Sequence, residues 1–362
     1  MPATGLRSRA AIARARMVGL GLWNTRADAQ ARTPADVVRN LVAMQAQEHA
    51  YARWSIGQRC GASASVVDAD FDAGRILRTH VLRPTWHYAT PDDLRWLLAL
   101  TGRRIDAANR LRYQELGLDA RTRRRATDVI AATVAGGPAT RRELVHALER
   151  RRIATKGQRI AHLLLHAELH AVICSGPMRA AQHTYVPFDD RVPGGPGISE
   201  EEAGAELARR WFTTRGPASV RDFAWWSGLP VPVVRDALAS VRAELSSVER
   251  DGHTYWFAEL PRPPRAPRGP GMDLVQCFDE VIISYSETRD VLTTPAVSFP
   301  VPRHVDGFTH VVLGDGQLLG HWRTHRAPGS LEVETRVGRA LDDREQRALD
   351  AAVARYERFM RT

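Results

Sequence analysis

Only three cysteines, Cys60, Cys174 and Cys277, are scattered through 362 residues. Odd in number and far apart, they exclude a disulfide framework and offer no metal-ligand spacing. They fit a reducing cytoplasm. No stretch approaches the ~20 apolar residues that a membrane-spanning helix needs, so no membrane partner is expected. Lysine is scarcer still. Lys156 stands alone, so all but one of the 51 cationic side chains are arginine. A single amine outside any motif argues against Schiff-base chemistry. There is no phosphate-binding glycine loop, dinucleotide glycine pattern, serine elbow or zinc helix. No metal or cofactor is therefore expected.

What is present is positive charge. The 51 cations face 41 carboxylates, a net charge of +10. That predicts a field able to attract a polyanion, and arginine suits bidentate phosphate contact. Arginine-rich composition of any origin gives the same number, so charge alone does not prove nucleic-acid binding. The start, LRSRAAIARARMVGLGL, is basic and free of acids. It reads as a first helix over residues 8–21 and not as a transit peptide.

The chain is organised around Leu41 to Cys60, LVAMQAQEHAYARWSIGQRC. Thr33-Pro34-Ala35-Asp36 is a helix start. Val37, Val38, Leu41 and Met44 carry a helical period to about Met44. Gln45 and Gln47 follow, two residues apart. On a continuing helix they point to different sides, and both are then solvated amides. If the helix breaks near Met44, an extended backbone aims both amides into one site, and that break is the expectation. Further helices are expected over Tyr51 to Gln58 and Asp70 to Thr79, then a strand over Val81 to Ala89. Thr90-Pro91-Asp92-Asp93 opens another helix to about Leu100, and Arg103 to Leu116 continues helical.

A repeat follows. GPATRREL at residues 137–144 matches GPASVRDF at 216–223 in residue type. Each is a Gly-Pro loop, a Thr or Ser cap, an acid three residues on and an apolar residue, which is capping-box chemistry. Each leads through helix, turn and helix into strands, the winged-helix order. Thr33 opens a third, weaker copy. Pro261 to Gly271, PRPPRAPRGPG, reads as a linker. Beyond it, Asp273 to Tyr285, Gly307 to Leu313, Gln317 to Arg323 and Leu331 to Val337 read as strands. Gly314-Asp315-Gly316 reads as a hairpin turn, and Asp342 to Arg361 as a closing helix. The expected fold is α+β, mainly α: tandem winged-helix units followed by a small C-terminal β-barrel. The units are residues 1–130, 131–195 and 196–260, the linker 261–271 and the barrel 272–362.

A glutamine–apolar–glutamine after an amphipathic helix, with Trp54 downstream, resembles the motif of the AlkZ-type DNA glycosylases. RPTWHYATPDDL at 83–94, FDEVIISY at 278–285 and HVVLGDGQLLGHWR at 310–323 fit the same pattern in order. The paired glutamines favour the AlkZ-like branch over the one with Asp at the second position. The resemblance implies a barrel packed on winged-helix units around a basic channel. It implies hydrolysis of N-glycosidic bonds of N7- or N3-alkylated purines, including bulky or crosslinked ones, with Gln45 and Gln47 holding water. An alkylated purine is already a cationic leaving group, so orientation by amides is chemically sensible.

His87 matches a family histidine, as a contact to DNA or to the catalytic water. A satisfied, half-buried histidine is the even alternative. Pro84-Thr85-Trp86-His87 stands where the family often has Gly-Thr-Leu-His, which bears on substrate range. Arg83, Arg323 and Arg326 are expected to bind DNA, with Trp322 in the core. Asp279 and Glu280 are the best carboxylates, expected to hold structure. The single Lys156 implies a monofunctional enzyme. The expected partner is double-stranded DNA carrying alkylated bases, and the expected state a monomer. The competing reading is a winged-helix transcription regulator without catalysis.

Overall fold

In the computed structural model the described residues are 6–23, 33–180, 182–195, 197–258, 271–293, 309–327 and 330–361, the side chain of Arg326 excepted. Most of the Pro-rich linker lies outside them.

α1 (Arg9–Gly19) leads in. One succession then recurs. First come α2 (Pro34–Leu41), β1 (Ala43–Gln45), α3 (His49–Cys60), α4 (Ala64–Asp72), β2 (Leu77–His80) and β3 (Trp86–Ala89). α5 (Pro91–Ala108) and α6 (Arg110–Glu115) connect them to α7 (Ala120–Val134), β4 (Ala139–Thr140), α8 (Arg141–Arg150), α9 (Arg159–Leu169), β5 (Ile173–Ser175) and β6 (Thr184–Pro187). The third passage is α10 (Glu200–Arg215), α11 (Val220–Ser227), α12 (Val231–Ser240), β7 (Ser246–Arg250) and β8 (His253–Phe257). The two complete sheets have the orders β1-β3-β2 and β4-β6-β5. In the third passage Ala218 takes the place of the first strand, bridging to Trp256 beside the β7-β8 pair. The first strand thus always joins the last.

Local chemistry sets these starts. Thr33, Thr140 and Ser219 each accept from the backbone N–H three residues on, and Asp36, Glu143 and Asp222 return the bond. Such boxes satisfy two otherwise orphaned donors. The second passage keeps a core of its own, which reaches back upstream of residue 131 to Tyr113, Leu118, Ala126 and Ile130. One larger core joins the other parts, from Val37 and Leu41 through Trp211 and Trp226 to Val275 and Trp322.

The C-terminal part is β9 (Met272–Val275), α13 (Glu280–Ile283), β10 (His310–Gly314), β11 (Gln317–Ala327), β12 (Ser330–Val337) and α14 (Asp343–Arg361). Its sheet order is β12-β11-β10-β9. The expected barrel is a curled half-barrel, because among the described residues its outer strands do not pair. Asp315 and Gly316 make the expected two-residue turn at φ 49 and 79. α14 covers the sheet, with Tyr356 against Trp322 at 4.8 Å and Trp54 at 5.4 Å. The indole of Trp54 donates to Leu274 O at 2.7 Å.

Four local expectations change. α2 stops at Leu41, not Met44, because Val42 sits at φ 64 and breaks the helical ladder. Residues 70–79 are the end of α4 and a strand, divided by Gly74 at φ 74. Strand begins at Trp86, because Leu82 at φ 64 turns the chain before it. FDEVIISY is a capped turn and a short helix. Asp279 accepts from Val281 N–H, and a short apolar run reads alike as strand or buried helix.

Gly228 ends α11 at φ 65, and a Cβ there would lie 2.8 Å from Leu82 O. Gly228→Ala is expected to cost about 2 kcal/mol or more in urea unfolding. Gly61→Ala, at φ 75 with open space around it, is the control. It should cost only the backbone share, about 1 kcal/mol. Equal losses would remove the steric account.

Candidate active site

The turn at Val42 places Gln45 on β1 with an extended backbone. β1 ends at Gln45, and Gln47 lies two residues beyond it at a bend. Gln45 is buried, 7% exposed, and Gln47 is exposed at the surface. Gln45 Oε1 accepts from Arg83 Nη2 at 2.8 Å. Gln47 Oε1 accepts from the backbone N–H of Trp86 at 3.4 Å. Each amide has a second oxygen lone pair and two N–H donors, so each retains capacity for a further partner.

His87 lies on the central strand β3, opposite Gln45 on one side and Thr79 on the other. It is fully buried. Burial, reinforced by the charge of Arg83, holds its imidazole neutral well below the usual range. Nδ1 bonds to Thr85 O at 2.8 Å. A neutral ring that donates there leaves Nε2 as an acceptor. Among the described residues Nε2 has no protein partner, and neither does the buried Thr79 Oγ1. Trp86 alternates to the other face. It stacks on His80 at 4.0 Å and lies under Arg78 at 4.2 Å. Arg78 in turn donates to Ala46 O and Gln47 O at 3.0 and 3.3 Å, fixing the backbone of the pair. The large Trp86 that departs from the family turn is therefore packed away from the face of His87.

Behind β1 lies a buried ion pair. Glu280 Oε1 accepts from Gln45 N–H at 2.9 Å. Its Oε2 accepts from Arg215 at 2.7 Å, Trp226 Nε1 at 2.7 Å and Ser284 Oγ at 2.8 Å. Arg215 also donates to Ala43 O at 2.9 Å. Its neighbour Asp279 grips Arg59 with two bonds of 2.7 and 2.8 Å. Both carboxylates are wholly buried and spent on protein partners, the structural use expected of them.

The other expected site residues are spread out. Arg83 joins Gln45 directly. Trp322 is in the core. Arg323 pairs across the strands with Glu334 at 2.7 Å. The backbone of Arg326 pairs with Leu331, and its side chain lies outside the described residues. Sequence reasoning missed Arg215, Trp226 and Trp225. The Trp-Trp pair just after the second capping box was their one visible signal. Among the described residues, one group could hold a metal ion: Asp106, His166 and His170. None of them hydrogen-bonds to Gln45, Gln47 or His87. No described helix is long and apolar enough to cross a membrane.

The chain belongs to the AlkZ-like DNA glycosylase family, whose model matches residues 38–359. Among known proteins it is similar to the interstrand DNA cross-link repair glycosylase of Streptomyces sahachiroi, 23% identical over 300 residues, covering 79% of this chain and 81% of that one. Its fold is similar to that of Streptomyces sahachiroi DNA glycosylase AlkZ, with a TM-score of 0.77 at 20% identity, covering 98% of this chain and 97% of that one. Both relatives are named as glycosylases, enzymes that hydrolyse N-glycosyl bonds.

Proposed function

We propose that this chain is a monofunctional DNA glycosylase that hydrolyses the N-glycosidic bond of N7- or N3-alkylated purines. The observation that carries this is Gln45 at the end of β1, buried under Arg83 and opposite the neutral His87, with Gln47 at the bend two residues on. Two amides and an unprotonated imidazole nitrogen can hold a water by hydrogen bonds without supplying a strong base. That suits a base that leaves as a neutral molecule and needs no protonation. A carboxylate would be the stronger base for a neutral substrate, but Asp279 and Glu280 behind β1 are committed to arginines. Lys156 is exposed in a turn before α9 and belongs to no part of this arrangement, which supports hydrolysis without a Schiff base.

The finer reading includes bulky adducts and interstrand crosslinks as substrates, in keeping with the name of the Streptomyces sahachiroi relative. It treats the three recurring passages as tandem winged-helix units, with boundaries near residues 130, 195 and 260. It assigns Arg323 and Arg326 on β11 to the DNA backbone, and the protein as a cytoplasmic monomer.

The test is base release from duplex DNA carrying an N7-alkylguanine. Native protein is compared with Gln45→Ala and Gln47→Ala where all three bind equally. Lost orientation of the water should lower the single-turnover rate on the order of 100-fold in each variant. If the native chain releases neither small nor bulky adducts while DNA binding is intact, the glycosylase reading fails and the regulator without catalysis takes its place.

A further inference from the structure

Nine tryptophans occur in the chain, and Trp225, half exposed at 50%, is the one among the large exposed apolar side chains of the described residues. Its neighbour Trp226 turns inward onto Glu280. Trp225 is nevertheless fixed. Its indole N–H donates to Ile283 O at 3.2 Å, and the guanidinium of Arg83 sits over its ring at 5.9 Å. Helix α11 is also pressed against the segment that carries Arg83: a Cβ on Gly228 would meet Arg83 Cγ at 3.2 Å. Trp225 is thereby tied, through Arg83, to the amide oxygen of Gln45.

An indole held at one edge yet left open to solvent gains little for folding. It is pre-organised to receive a flat partner, because its orientation is set before anything binds. Aromatic side chains stack on nucleobases irrespective of sequence. Tryptophan is also the strongest aromatic partner for a cation, and an N7-alkylated purine is cationic.

We propose that Trp225 is a stacking platform for the alkylated purine, which it holds at the mouth of the Gln45 and Gln47 site. This rests on the glycosylase reading and assigns it a lesion-binding residue from α11, in the third passage of the fold. The hydrogen bond to Ile283 places the platform, and Arg83 sets its distance from Gln45. Stacking contributes to recognition of the damaged base and not to general DNA affinity.

The experiment compares native protein, Trp225→Phe, Trp225→Leu and Trp225→Ala. It measures affinity for unmodified and N7-alkylated duplex, and single-turnover base release. Phe keeps a π face, whereas Leu keeps apolar bulk without one, so the pair separates stacking from packing. The expected result is a loss of roughly 5- to 150-fold in affinity for alkylated duplex with Leu and Ala, the usual range for one stacked base. Phe should stay within a few-fold of native, and affinity for unmodified duplex should be unchanged throughout. Release by the native chain, with Leu and Phe equal to native in both affinity and rate, overturns the platform and leaves the glycosylase standing. If the native chain releases no base, the glycosylase reading fails. The platform is then judged on binding alone, by whether a preference for alkylated duplex is present and is lost with Leu.

Discussion

Glu280→Ala is expected to lower the unfolding free energy by about 3–5 kcal/mol, the usual cost of leaving one member of a buried ion pair alone. Glu280 and Arg215 both have side chains with 0% exposure. Arg215 would keep Ala43 O as an acceptor but lose its counter-charge. Trp226 Nε1–H and the Gln45 N–H would each lose their acceptor as well, and unsatisfied buried donors add to the penalty. Glu280→Gln preserves volume but offers an amide where several donors converge, so it should recover only part of the loss. Pairing Glu280→Gln with Arg215→Met removes both charges and should be more stable than the sum of the single losses implies. Urea unfolding of the native protein, Glu280→Ala, Glu280→Gln, Arg215→Met and the double variant measures this. A loss under about 1 kcal/mol for Glu280→Ala, the range of an exposed pair, would refute a buried pair. Because Glu280 holds the backbone of Gln45, the variant should also lose base release out of proportion to DNA binding.

The second large effect is acid destabilisation that begins close to neutrality. Burial lowers His49 to about 2 and His183 and His310 to about 4, and takes His87 well below its ordinary value. His310 Nδ1 accepts from Cys277 N–H at 3.2 Å, a bond that protonation at that nitrogen would break. In the unfolded chain each imidazole returns to about 6.5. The folded state therefore binds fewer protons below that point. The stability these groups contribute is complete above about pH 6.5 and is lost as pH falls toward the folded values. Each can remove at most about 1.4 kcal/mol per pH unit. His183 is the least buried of the four and lies against His49, so the set should remove about 3–5 kcal/mol between pH 7.5 and 5.5. The carboxyls of Glu168 and Asp273, raised by burial, work in the opposite direction at lower pH. Urea titrations across that window should show the fall, and His310→Gln should reduce the slope by about one proton. A flat profile would mean that these histidines do not stay neutral in the folded protein.

Much of the architecture was legible because its signals are local. The capping boxes at Thr140 and Ser219, the Asp315-Gly316 turn and the exit of Gln45 from its helix each depend on a few adjacent residues. The run VII at 281–283 was misread because a short apolar stretch carries no period that separates strand from buried helix. The barrel was over-read. Four strand patterns show that a sheet exists but not whether its edges meet. In the site, Gln45 and Gln47 were visible as a motif, whereas their support was not. Arg215 and Trp226 reach Glu280 across 65 and 54 residues, and nothing in either local pattern marks them as partners. Arg83, expected to bind DNA, donates to Gln45 Oε1 across 38 residues, a link that the sequence pattern does not mark.

The adjacent carboxylates Asp279 and Glu280 also fix when this site comes into being during synthesis. Arg59 waits 220 residues for Asp279, and Gln45 waits 235 for Glu280. At typical elongation rates of roughly 5–20 residues per second, Arg59 and the strand bearing Gln45 remain without these anchors for about 10–50 s. The early helices can collapse in that interval and β1 can pair with β3, but the Gln45 N–H still lacks its carboxylate acceptor. A chain interrupted before residue 280 therefore carries both glutamines without the carboxylate that holds the Gln45 backbone, and the half-made protein meets DNA with its site unfinished.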